Sequence, residues 1–240
     1  MKNPRVCITI PVYNEEKDLE KSITKLICFL NNNFHYHYFI VIADNASTDN
    51  TEKIGKELSK KYKQVKYNYI SKKGRGLALR DTWTKYDADI YSGMDVDLST
   101  NLNYFPRLID SIAKQHFDVA TGSRLLKDSK VKRGIKREIL SRGYNLILKL
   151  VFNQKFKDSQ CGFKAVSKKI VEDIIPKIKN NEWFFDTELL IKSEKSGYTI
   201  AEFPVEWIDD PDSRVDILDT IKQYLGNILR LRKELKNEIH

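Results

Sequence analysis

The sequence predicts an α/β fold, a mostly parallel sheet with helices on both faces. Three observations carry this expectation. Short apolar or β-branched runs alternate with stretches of helical periodicity up to about residue 123, the pattern of strands joined by crossover helices. Polar clusters follow three of those runs, Asp44-Asn45, Asp95 with Asp97, and Gly122-Ser123-Arg124, and open α/β sheets bind ligands beyond the carboxyl ends of their strands. A length of 240 residues, 41% hydrophobic and 31% charged, suffices for one domain with a core and excludes a disordered chain or an integral membrane bundle.

Taken in order, Val6 to Ile10 is a β-branched run stopped by Pro11 and reads as a strand. Leu19, Ile23, Leu26, Ile27 and Leu30 recur at helical spacing and predict a helix over Glu15 to Leu30. Tyr38 to Ala43 is a second buried strand, after which Thr48 and Asp49 offer a cap for a helix through about Lys61. Val65 to Ile70 alternates as a third strand, Gly74 to Tyr86 is helical, and Asp89 to Met94 is a fourth strand. Asn103 to Lys114 is a helix and Phe117 to Thr121 a fifth strand.

From Arg124 to Lys149 the composition changes, with nine basic and two acidic residues supplying most of the net charge of +9. An excess of this size predicts an anionic partner: a nucleic acid, a lipid surface or a phosphorylated ligand. Ile135, Ile139, Leu140, Tyr144, Ile147, Leu148, Val151 and Phe152 make the same stretch an amphipathic helix. A second runs from Ile217 to Leu235, with Ile221, Leu225, Ile228 and Leu229 on one side. No apolar run approaches the ~20 residues of a membrane span, and the N-terminus has no signal-peptide core. The expectation is a protein that does not cross a membrane but can lie on one. Cys7, Cys28 and Cys161 are too few and too scattered for a disulfide framework or a metal site and point to a reducing compartment.

Three motifs can carry chemistry. Asp95 and Asp97, at i and i+2 after an apolar strand, can both reach a loop-side Mg²⁺ or Mn²⁺; the plain alternative is a solvated acidic turn or a helix cap, since Ser99 and Thr100 follow. Lys72-Lys73-Gly74-Arg75-Gly76 opens a helix, where Lys73, Arg75 and free N–H groups can cradle a phosphate; it can equally be an ordinary basic turn, and it is not a P-loop. Asp186 and Glu188 follow three aromatic residues, either facing a pocket or favouring a helix dipole. None of His35, His37, His116 and His240 lies in these clusters, which disfavours imidazole-based hydrolysis and suits a nucleophile already ionised at neutral pH.

Pro11-Val12-Tyr13-Asn14-Glu15, Ala43-Asp44-Asn45-Ala46-Ser47-Thr48-Asp49, Lys73-Gly74-Arg75-Gly76, Asp95-Val96-Asp97 and Gly122-Ser123-Arg124 stand in the order seen in family-two glycosyltransferases. Ser141-Arg142-Gly143-Tyr144-Asn145, Asp158-Ser159-Gln160-Cys161-Gly162-Phe163-Lys164 and Trp183-Phe184-Phe185-Asp186-Thr187-Glu188-Leu189-Leu190 resemble the polyprenyl-phosphate branch, which includes dolichyl-phosphate mannose and glucose synthases. The last two are more similar to the glucose branch.

This resemblance implies a single A-type glycosyltransferase domain over residues 1–240, Rossmann-like, with a nucleotide-sugar-binding half to about 123 and an acceptor-binding half with amphipathic interfacial helices after it. It assigns the nucleoside to Pro11, Tyr13, Glu15 and Asp44, with Lys73 and Arg75 beside the nucleotide sugar. Asp95 and Asp97 hold the metal, with Arg124 completing the catalytic set; Ser99 stands where some mannose synthases have a metal-binding Gln, and Asn45 where a second acid is usual. Arg124, Arg137 and Arg142 bind the acceptor phosphate, and Gln160, Asp186 and Glu188 position sugar or acceptor. The implied reaction is inverting transfer of glucose, in preference to mannose, from UDP-glucose or GDP-mannose to a polyprenyl or dolichyl phosphate. It would occur at the cytoplasmic face of an anionic membrane, without nucleic acid. The competing readings are a transferase for a soluble or protein acceptor, and a non-catalytic anion-binding module.

Overall fold

The computed structural model describes residues 3–208 and 217–237, the latter stretch with side chains from residue 223 onward. Ile221 and His240 therefore lie outside the described side chains.

The first half follows the expected alternation: β1 (Arg5–Val12), α1 (Leu19–Asn33), β2 (His37–Asn45), α2 (Thr51–Lys61), β3 (Val65–Ile70), α3 (Arg75–Lys85), β4 (Ile90–Gly93), α4 (Phe105–Ala113) and β5 (Val119–Ser123). The expected helix from Glu15 begins four residues later, because residues 15–18 form a turn in which the Glu15 carbonyl accepts from the Asp18 and Leu19 N–H groups. The second half contains strands that the sequence reading did not assign. They are β6 (Lys130–Lys132), β7 (Lys164–Ser167), β8 (Ile200–Pro204) and β9 (Glu206–Ile208), set among α5 (Ile135–Phe152), α6 (Lys168–Asp173), α7 (Phe185–Lys195) and α8 (Ile217–Asn237).

Seven strands form one sheet in the order β3-β2-β1-β4-β7-β5-β8. Its pairs are parallel except those of β7, which runs antiparallel between β4 and β5. β7 therefore places Lys164 and the turn before it among the carboxyl ends of its neighbours. One face of the sheet packs Ile8, Ile10, Ile40 and Ile42 against Leu19, Ile23, Leu26, Leu108 and Ile109. The other packs Cys7, Val41 and Val166 against Trp83, Phe185, Leu189 and Leu190. Burying both faces accounts for the near-continuous apolar strands. A second sheet of two short parallel strands joins β6 to β9.

α5 has two apolar sides. Leu148 and Phe152 are buried, whereas Ile135, Ile139, Leu146 and Leu150 form an exposed stripe, with Ile135 at 79% and Leu150 at 77%. Leu225 and Leu229 of α8 are exposed as well. Among the described residues, no helix is long and apolar enough to cross a membrane.

Candidate active site

The carboxyl-end rim of β1 and β2 is stitched by short polar bonds. Asn14, at φ 56°, donates its N–H to Ser47 Oγ (3.0 Å) and accepts the Thr48 N–H on Oδ1 (2.8 Å). The Glu15 N–H reaches Thr51 Oγ1 at 2.8 Å. Asp44 is fully buried; its carboxylate accepts the Ser47 N–H (2.9 Å) and the Tyr67 hydroxyl (2.6 Å). Burial, followed by the bond to Asp44, raises the Tyr67 pKa and keeps it a donor. Tyr13 is at the outer edge, its ring 4.0 Å from Lys73 Nζ. Pro11, Tyr13, Glu15, Asp44 and Lys73 thus belong to one rim region, formed by the ends of β1 and β2 and the loop before α3.

Arg75 departs from its expected placement. Its side chain is 7% exposed and donates from Nε to Asp95 Oδ1 (2.9 Å) and from Nη1 to Asp186 Oδ2 (2.5 Å). Arg75 is a buried tie between the end of β4 and the start of α7, and does not present its charge to a phosphate. Burial, which lowers an Arg pKa, is outweighed by Asp186 and Asp95, and the guanidinium stays charged. The expected phosphate cradle at the start of α3 is also partly used by the protein: the Leu77 N–H donates to the Asn181 carbonyl at 2.9 Å. Gly74, at φ 153°, and Gly76 permit that approach, since a Cβ on Gly76 would lie 2.4 Å from the Phe185 Cβ.

Asp186 is buried and shared. Lys164, 1% exposed, places Nζ 3.4 Å from Asp186 Oδ1 and donates to the Cys161 carbonyl. Asp95, Arg75, Asp186 and Lys164 therefore form a chain of two acids and two bases that balances its own charge. Only Asp95 reaches the surface, its side chain 43% exposed. Gly162 closes over this chain; a Cβ there would lie 2.5 Å from Arg75 Nη2 and 2.6 Å from Asp95 Oδ2.

Asp97 is exposed and accepts the Ser99 N–H on Oδ1 at 2.9 Å. Met94, Asp95, Asp97, Ser99, Thr100 and Phe163 line a small niche here. The loop is not a helix start: the Ser99 carbonyl accepts the Ile208 N–H (3.0 Å), Thr100 bridges Trp207, and the Asn101 N–H reaches the Glu206 carbonyl (3.0 Å). β9 thus clamps the loop that carries the two aspartates. A larger depression of about 570 Å³ lies between α1 and α2, lined by Glu16, Lys21, Cys28 and Ile54 among others; it gathers none of the expected groups.

Arg124 is bidentate on Asp158, Nε to Oδ2 at 2.8 Å and Nη2 to Oδ1 at 3.0 Å, and lies over the Trp207 ring. Burial would raise the Asp158 pKa, but Arg124 outweighs it and holds the carboxyl down to about 2. The Asp158 N–H is held by Glu202 (2.8 Å) and the Ser159 N–H by Asn145 of α5 (3.0 Å), which fixes the turn leading to Gln160. Cys161, pushed up to about 11 chiefly by burial, remains a thiol. Of the other expected acceptor residues, Arg137 is half-buried and Arg142 exposed on α5, where Glu138 takes both Arg142 and Arg133.

Glu188 corrects its expectation. It is fully buried, and its two oxygens accept the Lys179 and Asn180 N–H groups and the Arg230 guanidinium (2.7 Å). It holds α8 to α7 and has no oxygen left for a substrate. Sequence reasoning missed Lys164 and the Arg124–Asp158 pair. The signal for Lys164 was a lone cation inside the apolar run Gly162-Phe163-Lys164-Ala165-Val166.

Residues 7–175 match the model of Glycosyl transferase family 2. The chain belongs to this family. It is 31% identical over 227 residues to Glycosyltransferase AglD of Haloferax volcanii, covering 94% of this chain and 36% of that protein, so it spans about a third of AglD's length. It is 27% identical over 235 residues to the Dolichyl-phosphate beta-glucosyltransferase of Saccharomyces cerevisiae (90% and 70% covered) and 29% identical over 248 residues to that of Dictyostelium discoideum (96% and 76%). The expected polyprenyl-phosphate branch of the family is borne out. Among solved structures, glucosyl-3-phosphoglycerate synthase from Mycobacterium tuberculosis, crystallised with Mn²⁺ and UDP-glucose, superposes with a TM-score of 0.71 at 16% identity, covering 95% of this chain and 79% of that one. The family-two protein therefore has the expected A-type glycosyltransferase fold.

Proposed function

We propose that this family-two enzyme transfers a hexose, glucose in preference to mannose, from a nucleoside-diphosphate sugar to a polyprenyl or dolichyl phosphate at the cytoplasmic face of a membrane. The observation that carries the reading is the rim carboxylate of Asp95, oriented by Arg75, beside the exposed Asp97. The names of the dolichyl-phosphate glucosyltransferase relatives support the donor sugar and the lipid acceptor.

Asp95 and Asp97 fit Mg²⁺ or Mn²⁺. Both are hard oxygen donors at the surface, and among the described residues no third His, Cys, Asp or Glu joins them, as suits an ion that takes its other ligands from a diphosphate and water. When bound there, the ion supplies neutralisation of charge on the departing diphosphate. The protein's own groups provide positioning and electrostatics. Pro11, Tyr13, Glu15 and Lys73 hold the nucleotide, while Asp44, expected among them but fully buried, fixes the loop at Ser47 from behind. Arg124, Arg137 and Arg142 draw the acceptor phosphate to the rim, so that an oxygen attacks the anomeric carbon opposite the leaving group and inverts it. The exposed apolar stripe of α5, interleaved with Lys136, Arg142 and Lys149, and the outer residues of α8 rest on anionic lipid.

The test is incubation with labelled UDP-glucose or GDP-mannose, a polyprenyl phosphate and Mn²⁺, followed by organic extraction. Label in the organic phase from UDP-glucose is expected. Label that moves only to water-soluble acceptors, with no flotation on anionic liposomes, would overturn the lipid reading.

A further inference from the structure

α8 lies wholly beyond the residues that match the family, yet it is built into the acceptor half. Arg230 donates to both oxygens of buried Glu188, Glu234 receives Lys192 and Lys179, and Ile228 and Leu231 are buried. About one turn before Ile228, Tyr224 turns inward. Its ring centroid is 4.9 Å from that of Tyr144 on α5 and 6.0 Å from that of Phe184. Its hydroxyl lies beside Gln160 and within electrostatic reach of Asp186, Arg75 and Arg124. The neighbouring Leu225 and Leu229 point outward, 46% and 67% exposed. One stretch of helix therefore joins an apolar outer face to a phenol beside the site.

We propose that Tyr224 is a substrate-positioning residue of the acceptor site, its hydroxyl donating to the phosphate monoester of the lipid while Gln160 and the Tyr144 ring fix its place. The inference rests on the lipid-phosphate reading above. Its chemical reason is charge. Arg124 is already matched by Asp158 and Arg75 by two aspartates, so a neutral donor adds to the phosphate shell begun by Arg137 and Arg142 without bringing another charge to be matched. Burial raises the Tyr224 pKa, so the phenol keeps its proton at neutral pH.

Tyr224→Phe keeps both ring contacts and removes only the hydroxyl. With farnesyl phosphate in detergent micelles as acceptor, this variant is expected to raise the acceptor KM about tenfold, the cost of one hydrogen bond to a charged group. The donor KM and the melting temperature should stay at wild-type values. Lys114→Ala, at an exposed position just beyond α4, should leave the micellar acceptor KM unchanged. An acceptor KM for Tyr224→Phe equal to wild type would overturn the proposal. If the wild-type enzyme forms no lipid-linked product, the reading of the reaction fails separately. Tyr224 is then judged by farnesyl phosphate binding, followed through tryptophan fluorescence: weaker binding by the Phe variant supports it, and equal binding or none by wild type overturns it.

Discussion

The first half of the chain, to about residue 123, and the second half bring their polar groups to the same sheet edge by different means. In the first, each group follows its own strand, and the loops are tied to one another by bonds between short side chains and nearby backbone, as from Asn14 to Ser47 and Thr48. In the second, buried ion pairs do the joining: Arg124 to Asp158, Arg230 to Glu188 and, reaching back into the first half, Arg75 to Asp186. The difference teaches that the first rim depends on neutral bonds between neighbouring loops, whereas the second depends on charges removed from water, each of which is costly if its partner is lost.

The largest expected effect tests the rim itself. Asp97→Ala should lower transfer by about 10²–10³-fold or more with the fold intact, read as lipid-linked label and circular dichroism. Undiminished transfer would remove the site assignment.

Asp158→Ala should separate the halves in stability. It strands Arg124 without its partner and should cost about 3–5 kcal/mol in urea unfolding, whereas Ser47→Ala on the rim of β1 and β2 should cost about 1 kcal/mol. Equal losses would erase the distinction.

The same pair predicts a pH dependence. The Asp158 carboxyl is held at about 2 when folded against roughly 3.9 unfolded, so the unfolded chain binds more protons between these values. The contribution, on the order of 2 kcal/mol, is whole above about pH 5 and falls as pH drops from about 4 to about 2. The stability gap between wild type and Asp158→Asn should narrow over that window; a constant gap from pH 6 to 2 would contradict the pairing.

Asp186→Asn weakens the chain that orients Asp95 from behind. As with outer-shell partners of metal ligands, Mn²⁺ should bind about 10–100-fold more weakly, measured by calorimetry with UDP present. Unchanged Mn²⁺ affinity would make Asp186 a purely structural residue. The smallest effect belongs to the surface: Lys56→Ala breaks an exposed ion pair with Glu52 and should change stability by less than about 0.5 kcal/mol.

The alternation of β1 to β5, the rim positions of Asp44, Asp95 and Arg124, and the amphipathic nature of α5 could all be read from the sequence. Apolar period, turn residues and caps are local signals. β7 was not legible. Four residues beginning with a lysine give no strand signal of their own, and pairing between β4 and β5 decides their state. Nor did the sequence reveal that Arg75 turns away from the rim, since an arginine after a glycine looks the same whether it meets a phosphate or two carboxylates. Glu188 misled for the same reason: its partner Arg230 lies on another helix.

By itself, then, the sequence determined which strands are buried, which loops are polar and where the carboxylates emerge, because hydrophobic period and turn chemistry act over a few residues. Only the tertiary structure decided which charges neutralise one another, which lysine is buried and that α8 delivers Tyr224 beside Gln160. Electrostatic pairing and burial depend on distance in space, and the chain brings those groups together only when the sheet and its outer helices have closed around them.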